Sequence, residues 1–196
     1  MSQTDMSFSH VMNPAGATVS RGREITVSSP GPVDFFIDPA DGRTVANAPF
    51  VYDEQSGDFT LSAVVTPQFA ATFDAGALFV WFNETTWFKL AFEYTDMGFP
   101  AVVSVVTHGY SDDANGQRLD LPSVELMVAR RENLWSLHWR EPGKAPWHMK
   151  RYLRLGEPGQ TARVGLVVQS PTGTGCSATF SDIRTGTPPE NMRSVG

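Results

Sequence analysis

Short runs in which apolar and polar residues alternate recur along nearly the whole chain. Alternation with a period of two marks a strand with one buried face. The stretch 87-WFKLAFEY-94 is the most informative of these runs. Phe88, Leu90, Phe92 and Tyr94 fall on one face, and Trp87, Lys89, Ala91 and Glu93 on the other. The pattern predicts strands over 23–28, 33–37, 58–66, 76–82, 86–94, 101–108, 123–131, 134–140, 148–155, 162–170 and 178–184. Between them lie SPGP, DPADG, DMGFP, EPGKAP, GEPG and PTGTG, all rich in residues that favour turns. No helical stripe persists for three turns. Regular short strands punctuated in this way predict an all-β sandwich or barrel. Two hairpins can be placed, one turning around Asn83-Glu84-Thr85 and one at Glu132-Asn133, where Asn tolerates the positive φ of a tight turn.

A chain of 196 residues is enough for one well-buried domain. The sandwich is expected over 21–185. Pro, Ser, Gly and polar residues prevail in 1–20 and 186–196, which predicts a loosely ordered start and a flexible tail.

Composition narrows the partners. Residues are 41% hydrophobic and 18% charged, the net charge is −6, and no Lys/Arg block exceeds two residues. That is a poor footprint for nucleic acid. No apolar run has the length of a membrane span, so neither nucleic acid nor membrane is expected as a partner. The single cysteine, Cys176, excludes an internal disulfide and fits a reducing compartment. The start, MSQTDMSFSH, shows no basic segment followed by an apolar one, and the expected location is cytoplasmic.

Chemistry enters with the outward set of 87–94. Aromatic faces stack on the apolar faces of sugar rings, while charged or amide groups read hydroxyls. Trp87, Lys89 and Glu93, with Trp81 from the neighbouring strand, therefore make candidate ligand-binding residues in a groove. Thr107, His108 and Asp112 from 104-SVVTHGYSDD-113 are expected at its rim, with Ser111 capping backbone amides. His138 alternates with Trp135, Leu137 and Trp139, and is expected to face out while the aromatic set is buried. The plainer alternative is a solvated strand face carrying an ordinary Lys–Glu pair, contributing ~0–1 kcal/mol.

Other chemistries find less support. His10, His108, His138, His148 and Cys176 lack metal-ligand spacing, so neither metal nor cofactor is expected. Calcium at 38-DPADG-42 or 111-SDDANG-116 is less favoured than a hydrated turn. No residue is expected to be catalytic unless the chain acts on glycosides. In that case Glu93 is the candidate, and its second carboxylate must come from Asp112, Asp113, Glu125 or Glu84.

The segments DAGALFVWFNETTWFKLAFE, SVVTHGYSD, VELMVARRENLWSLHWREPGKAPW and ARVGLVVQSPTGTGCSATFSDI carry a wider likeness. They hold an Asp-x-Gly strand, a Trp-x-Lys-x-x-x-Glu strand, a Val-Thr…Ser-Asp segment and a closing Gly-Leu…Ser-Pro…Phe segment. Over about residues 34 to 184 the chain resembles the family known as domain of unknown function 1349, or regulation-of-enolase-like, within the concanavalin A-like lectin/glucanase superfamily. The resemblance implies a jelly-roll sandwich of two antiparallel sheets with one concave face. The turn Arg140-Glu141-Pro142-Gly143 departs from the family pattern. The expected function is carbohydrate binding on the concave face. The alternatives are a protein-interaction or regulatory factor in sugar metabolism, with a protein partner, and a glycoside hydrolase-like enzyme.

Overall fold

A computed structural model of the chain describes residues 6–195, and its long regular elements are all strands. The first eight are β1 (His10–Met12), β2 (Thr18–Arg21), β3 (Ile25–Pro30), β4 (Phe35–Ile37), β5 (Thr44–Ala46), β6 (Phe50–Gln55), β7 (Phe59–Gln68) and β8 (Ala75–Asn83). There follow β9 (Thr86–Tyr94), β10 (Pro100–His108), β11 (Tyr110–Ala114), β12 (Val124–Arg131), β13 (Leu134–Arg140), β14 (His148–Arg154), β15 (Ala162–Gln169) and β16 (Gly175–Gly186).

The strands build the expected all-β sandwich of two antiparallel sheets. One sheet runs β1-β6-β15-β8-β9-β10-β11 and the other β14-β13-β12-β7-β16-β3-β2. Alternation along β9 sets the faces as the sequence predicts. Phe88, Leu90 and Phe92 lie in the inter-sheet core with Leu61, Val65, Leu126 and Phe180. Burying each such side chain contributes ~1.5–3 kcal/mol. At Gly76 the sheets come so close that a Cβ would stand 2.7 Å from Ala178 Cβ and 2.9 Å from Val65 Cγ1.

Several features depart from the sequence reading. In the β12–β13 turn Glu132, with φ 56°, takes the left-handed conformation. Tertiary contacts hold it there: its N–H donates to Asp58 Oδ1 at 2.7 Å, and its carbonyl accepts from Arg130 Nε at 2.7 Å. The chain ends also contribute to the fold. β1 and β2 join the edges of the two sheets, Phe8 is buried in the core, and Asp53 accepts the N–H groups of Phe8 and Ser9. Near the C-terminus, the Arg131 guanidinium donates to the carbonyls of Pro189 and Glu190, and Met192 is buried. This segment covers His138. Alternation does turn His138 away from the inter-sheet core, but the imidazole is fully buried, with Nε2 3.1 Å from the Met192 carbonyl. Polar composition reads as loose because it cannot show where single anchors such as Phe8 and Met192 dock.

The largest departure concerns the far face of the first sheet. β4 and β5 form a small hairpin that belongs to neither sheet and lies over that face. Phe35, Ile37 and Ala48 pack there against Ala77, Phe79, Trp87, Ala91, Val103 and Val105, making a second core. An open trough was expected; what forms is a covered face with a cavity at one side. The physical reason is composition: 76-GALFVWF-82 is apolar at consecutive positions, and 101-AVVSVV-106 is so apart from Ser104, as strands buried on both sides are.

Candidate functional site

The cavity lies between this sheet face and the β4–β5 hairpin and has a volume of about 610 Å³. Its floor carries Lys89 and Glu93 from β9, Asp113 from β11, Val105 from β10 and Gln169 from the end of β15. The hairpin and its flanks supply Asp34, Phe36, Val45 and Asn47, while Phe73 and Thr172 close the side.

Alternation and register explain why these groups meet. Lys89 and Glu93 share a face because they are four residues apart on one strand. Lys89 pairs with Val105, and Val105 with Asp113, so one cross-strand row brings Asp113 onto the same face. Its neighbour Asp112 points to the other face, where it is 73% exposed and ion-paired with Arg151 at 3.1 Å. The expected rim acid is thus displaced by one residue, and a one-residue step in a strand reverses the face.

Lys89 organises the floor. Its Nζ donates to Asp34 Oδ1 at 2.7 Å, to the Phe35 carbonyl at 3.0 Å and to Gln169 Oε1 at 2.6 Å. An ammonium has three N–H groups, so all of them are engaged. The Gln169 amide donates to the Phe73 carbonyl at 3.0 Å and to Glu93 Oε2 at 3.3 Å. The relay from Asp34 through Lys89 and Gln169 to Glu93 therefore joins the hairpin, β9 and β15. The segment after β15 is set by Asp74, which is fully buried and accepts from the N–H groups of Ala70 and Ala71 and from Ser170 Oγ at 2.7 Å. That contact gives the Asp of the Asp-x-Gly motif its structural role.

Electrostatics follow from burial. Glu93 is pushed up to about 8, chiefly by loss of solvent; Lys89 pulls it down, whereas Asp113, Asp34 and Asp96 push it further up. At neutral pH its carboxyl is therefore mostly protonated. Asp113 is also raised, again first by burial and with Lys89 opposing.

The other sequence candidates fall outside the cavity. Trp87 is only 2% exposed and packs edgewise on Phe79 and Phe35, with ring centroids at 5.5 and 6.2 Å, so its face is closed to a ligand. Trp81 is half-buried, with the Arg163 guanidinium 4.5 Å above its ring. Thr107 is buried and bonds Ser111 Oγ at 2.9 Å, and that oxygen accepts the Ile37 N–H at 2.9 Å, which anchors the hairpin. Ser111 thus caps a backbone amide, in a distant strand. His108 borders a separate depression with Phe82, Thr86 and Arg154, and His138 lies on the second sheet. In the 38-DPADG-42 turn, Asp38 and Asp41 accept the N–H groups of Ala40 and Arg43. Among the described residues no group of three or more His, Cys, Asp and Glu is arranged to hold a metal ion.

The sequence reading missed Asp34, Phe36, Asn47, Phe73 and Gln169 as site residues, and placed Asp113 only as a second carboxylate. The available signal was the two-sided apolar character of β8 and β10, which requires a cover and hence a second wall.

Known proteins share this architecture. A functionally unknown protein from Saccharomyces cerevisiae matches with a TM-score of 0.83 at 21% identity, over 92% of this chain and 96% of that one. The carbohydrate binding module CBM66 from Bacillus subtilis matches with a TM-score of 0.57 at 13% identity, over 88% and 92% of the two chains. A xylan beta-1,4-xylosidase from Bacillus halodurans C-125 matches with a TM-score of 0.68 at 13% identity; the match covers 89% of this chain but 35% of that enzyme. At these identities the likeness is one of fold. No curated protein matches the sequence. The family model "Protein of unknown function (DUF1349)" matches residues 11–188, and the chain belongs to that family.

Proposed function

We propose that the chain binds a carbohydrate in the cavity beneath the β4–β5 hairpin. The observation that carries this reading is the composition of the cavity: apolar walls from Phe36, Val45 and Phe73 face a floor of held polar groups, Lys89, Gln169, Glu93 and Asp113. A sugar presents apolar C–H faces and a fixed array of hydroxyls, which calls for both kinds of surface. The volume of about 610 Å³ lies within the range usual for small-molecule sites, ~300–1,000 Å³. Lys89, Gln169 and Glu93 are already ordered by their own hydrogen bonds, so little of their side-chain freedom is lost on binding. The sandwich is also the fold on which a carbohydrate binding module from Bacillus subtilis is built.

A glycan array with the wild type, Phe36→Ala and Trp81→Ala tests the reading. Signal for a defined glycan is expected in the wild type, at least about tenfold weaker in Phe36→Ala and unchanged in Trp81→Ala. Signal indifferent to Phe36, or lost with Trp81, places the ligand elsewhere and overturns the proposal.

A hydrolytic reading draws on the protonated Glu93, a suitable general acid, with Asp113 across the floor. Two strands across and four residues along separate their backbones by ~16 Å. Both side chains must reach inward to approach the ~9.5 Å limit of an inverting pair. Polysaccharide turnover that disappears in Glu93→Gln and Asp113→Asn is the result this reading requires.

A further inference from the structure

The polar groups of the cavity floor differ in what they have left to offer a ligand. On the donor side, Lys89 has all three N–H groups engaged, and both amide hydrogens of Gln169 are bonded. Thr172 donates its hydroxyl to the Thr72 carbonyl at 2.6 Å. The acceptors are less occupied. Asp34 uses Oδ1 for Lys89 and for the N–H of Phe35. Glu93, 5% exposed, receives the Gln169 amide on Oε2, and among the described residues its Oε1 has no partner. Asp113 faces the same space from β11. The cavity lining holds four carboxyl groups, Asp34, Asp38, Glu93 and Asp113, of which Glu93 is mostly protonated at neutral pH, against two cations, Lys89 and Arg43. Arg43 is 73% exposed at the rim and lies 3.7 Å from Asp38. Lys89 is neutralised by Asp34.

From this imbalance we infer that the cavity selects a ligand carrying a protonated amine, an amino sugar in preference to its neutral or acetylated counterpart, with the ammonium in the acidic space that Glu93 and Asp113 both line. The inference rests on the carbohydrate reading above and adds the chemical class. An ammonium is a compact point charge with several donors and pairs with separated acceptors, whereas a metal ion demands ligands converging on one point. No such convergence exists among the described residues. The charged groups around Glu93 are Lys89 on its own strand, Asp113 on β11, Asp34 beside the hairpin and Asp96 in the turn after β9. Asp34 is matched by Lys89, which leaves Asp113, with Lys150 of β14 acting on it, and Asp96 as the remaining acids around Glu93; an arriving ammonium favours ionisation of Glu93 against them. Asp74 takes no part, since its carboxylate is bonded to Ala70, Ala71 and Ser170. An N-acetyl group or a hydroxyl at the same place brings no charge and leaves the burial of the acids uncompensated.

The test is titration calorimetry on the full chain at pH 7 with three disaccharides of one β-1,4 backbone: chitosan disaccharide, N,N′-diacetylchitobiose and cellobiose. The chitosan disaccharide is expected to bind at least about tenfold tighter than the others, a preference that narrows in both Asp113→Asn and Glu93→Gln. Use of two variants keeps the test intact where one fails to fold. Cellobiose or the diacetyl sugar binding as well as the amine overturns the inference and leaves the carbohydrate reading standing. An amine preference undiminished in the variants places the ammonium elsewhere and also overturns it. Binding of none of the three, with a blank glycan array, removes both.

Discussion

Lys89 Nζ and Asp34 Oδ1 meet at 2.7 Å, with the lysine 2% and the aspartate 15% exposed. The contact ties the cover of the cavity to its floor, and the same ammonium holds the Phe35 carbonyl of the hairpin. Breaking one partner of such a buried pair leaves an uncompensated charge. Lys89→Met is therefore expected to lower unfolding stability by about 3–5 kcal/mol, with part of the loss recovered in Lys89→Met combined with Asp34→Asn. Chemical denaturation of the three variants measures this. A loss under about 1 kcal/mol, the scale of a surface pair, contradicts the assignment.

Glu93 predicts a pH signature. Its folded carboxyl is pushed up to about 8 from an ordinary value of 4.5. Below the ordinary value both states are protonated, and burial of the neutral acid carries no ionisation cost. As pH rises, the unfolded chain releases the proton while the folded chain retains it, so stability falls until the folded carboxyl also ionises. Glu93→Gln removes this dependence. The stability of the variant relative to wild type is expected to increase by about 1.4 kcal/mol per pH unit between roughly pH 5 and 8, and to level off above. Melts in denaturant at pH 5, 7 and 9 give the difference; a flat one is the contrary result.

Trp87 separates packing from binding. Because the indole is enclosed by Phe35 and Phe79, Trp87→Ala is expected to cost about 3–5 kcal/mol of stability through the void it leaves. Trp81→Ala, at a half-buried position outside the cavity, is expected to cost clearly less. Equal losses from the two contradict the enclosure of Trp87.

These residues also show what a sequence can and cannot convey here. The parity of 87–94 was readable, because period-two alternation is a property of one strand, and Phe88, Leu90 and Phe92 do enter the inter-sheet core. Lys89 and Glu93 were recognisable because charged residues at regular positions in an apolar run need an explanation, and both line the cavity. Trp87 was misjudged as open because the cover comes from 35–46, more than forty residues earlier in the chain, and composition does not tell which face a distant hairpin chooses. Asp112 and Asp113 differ by one position, and which of them faces the cavity depends on the register Val105↔Asp113, which strand pairing sets. Gln169 carries no local signal, since an amide at a strand end reads as solvated until Lys89 and Glu93 are placed beside it.

The most direct measurement is backbone amide chemical-shift mapping during titration with a glycan identified on the array. The account predicts that the largest shifts fall on residues 34–47, on Lys89, Glu93 and Asp113, and on residues 169–172, with β12–β14 undisturbed. Shifts concentrated on β12–β14, or none beside the hairpin at saturating glycan, contradict it.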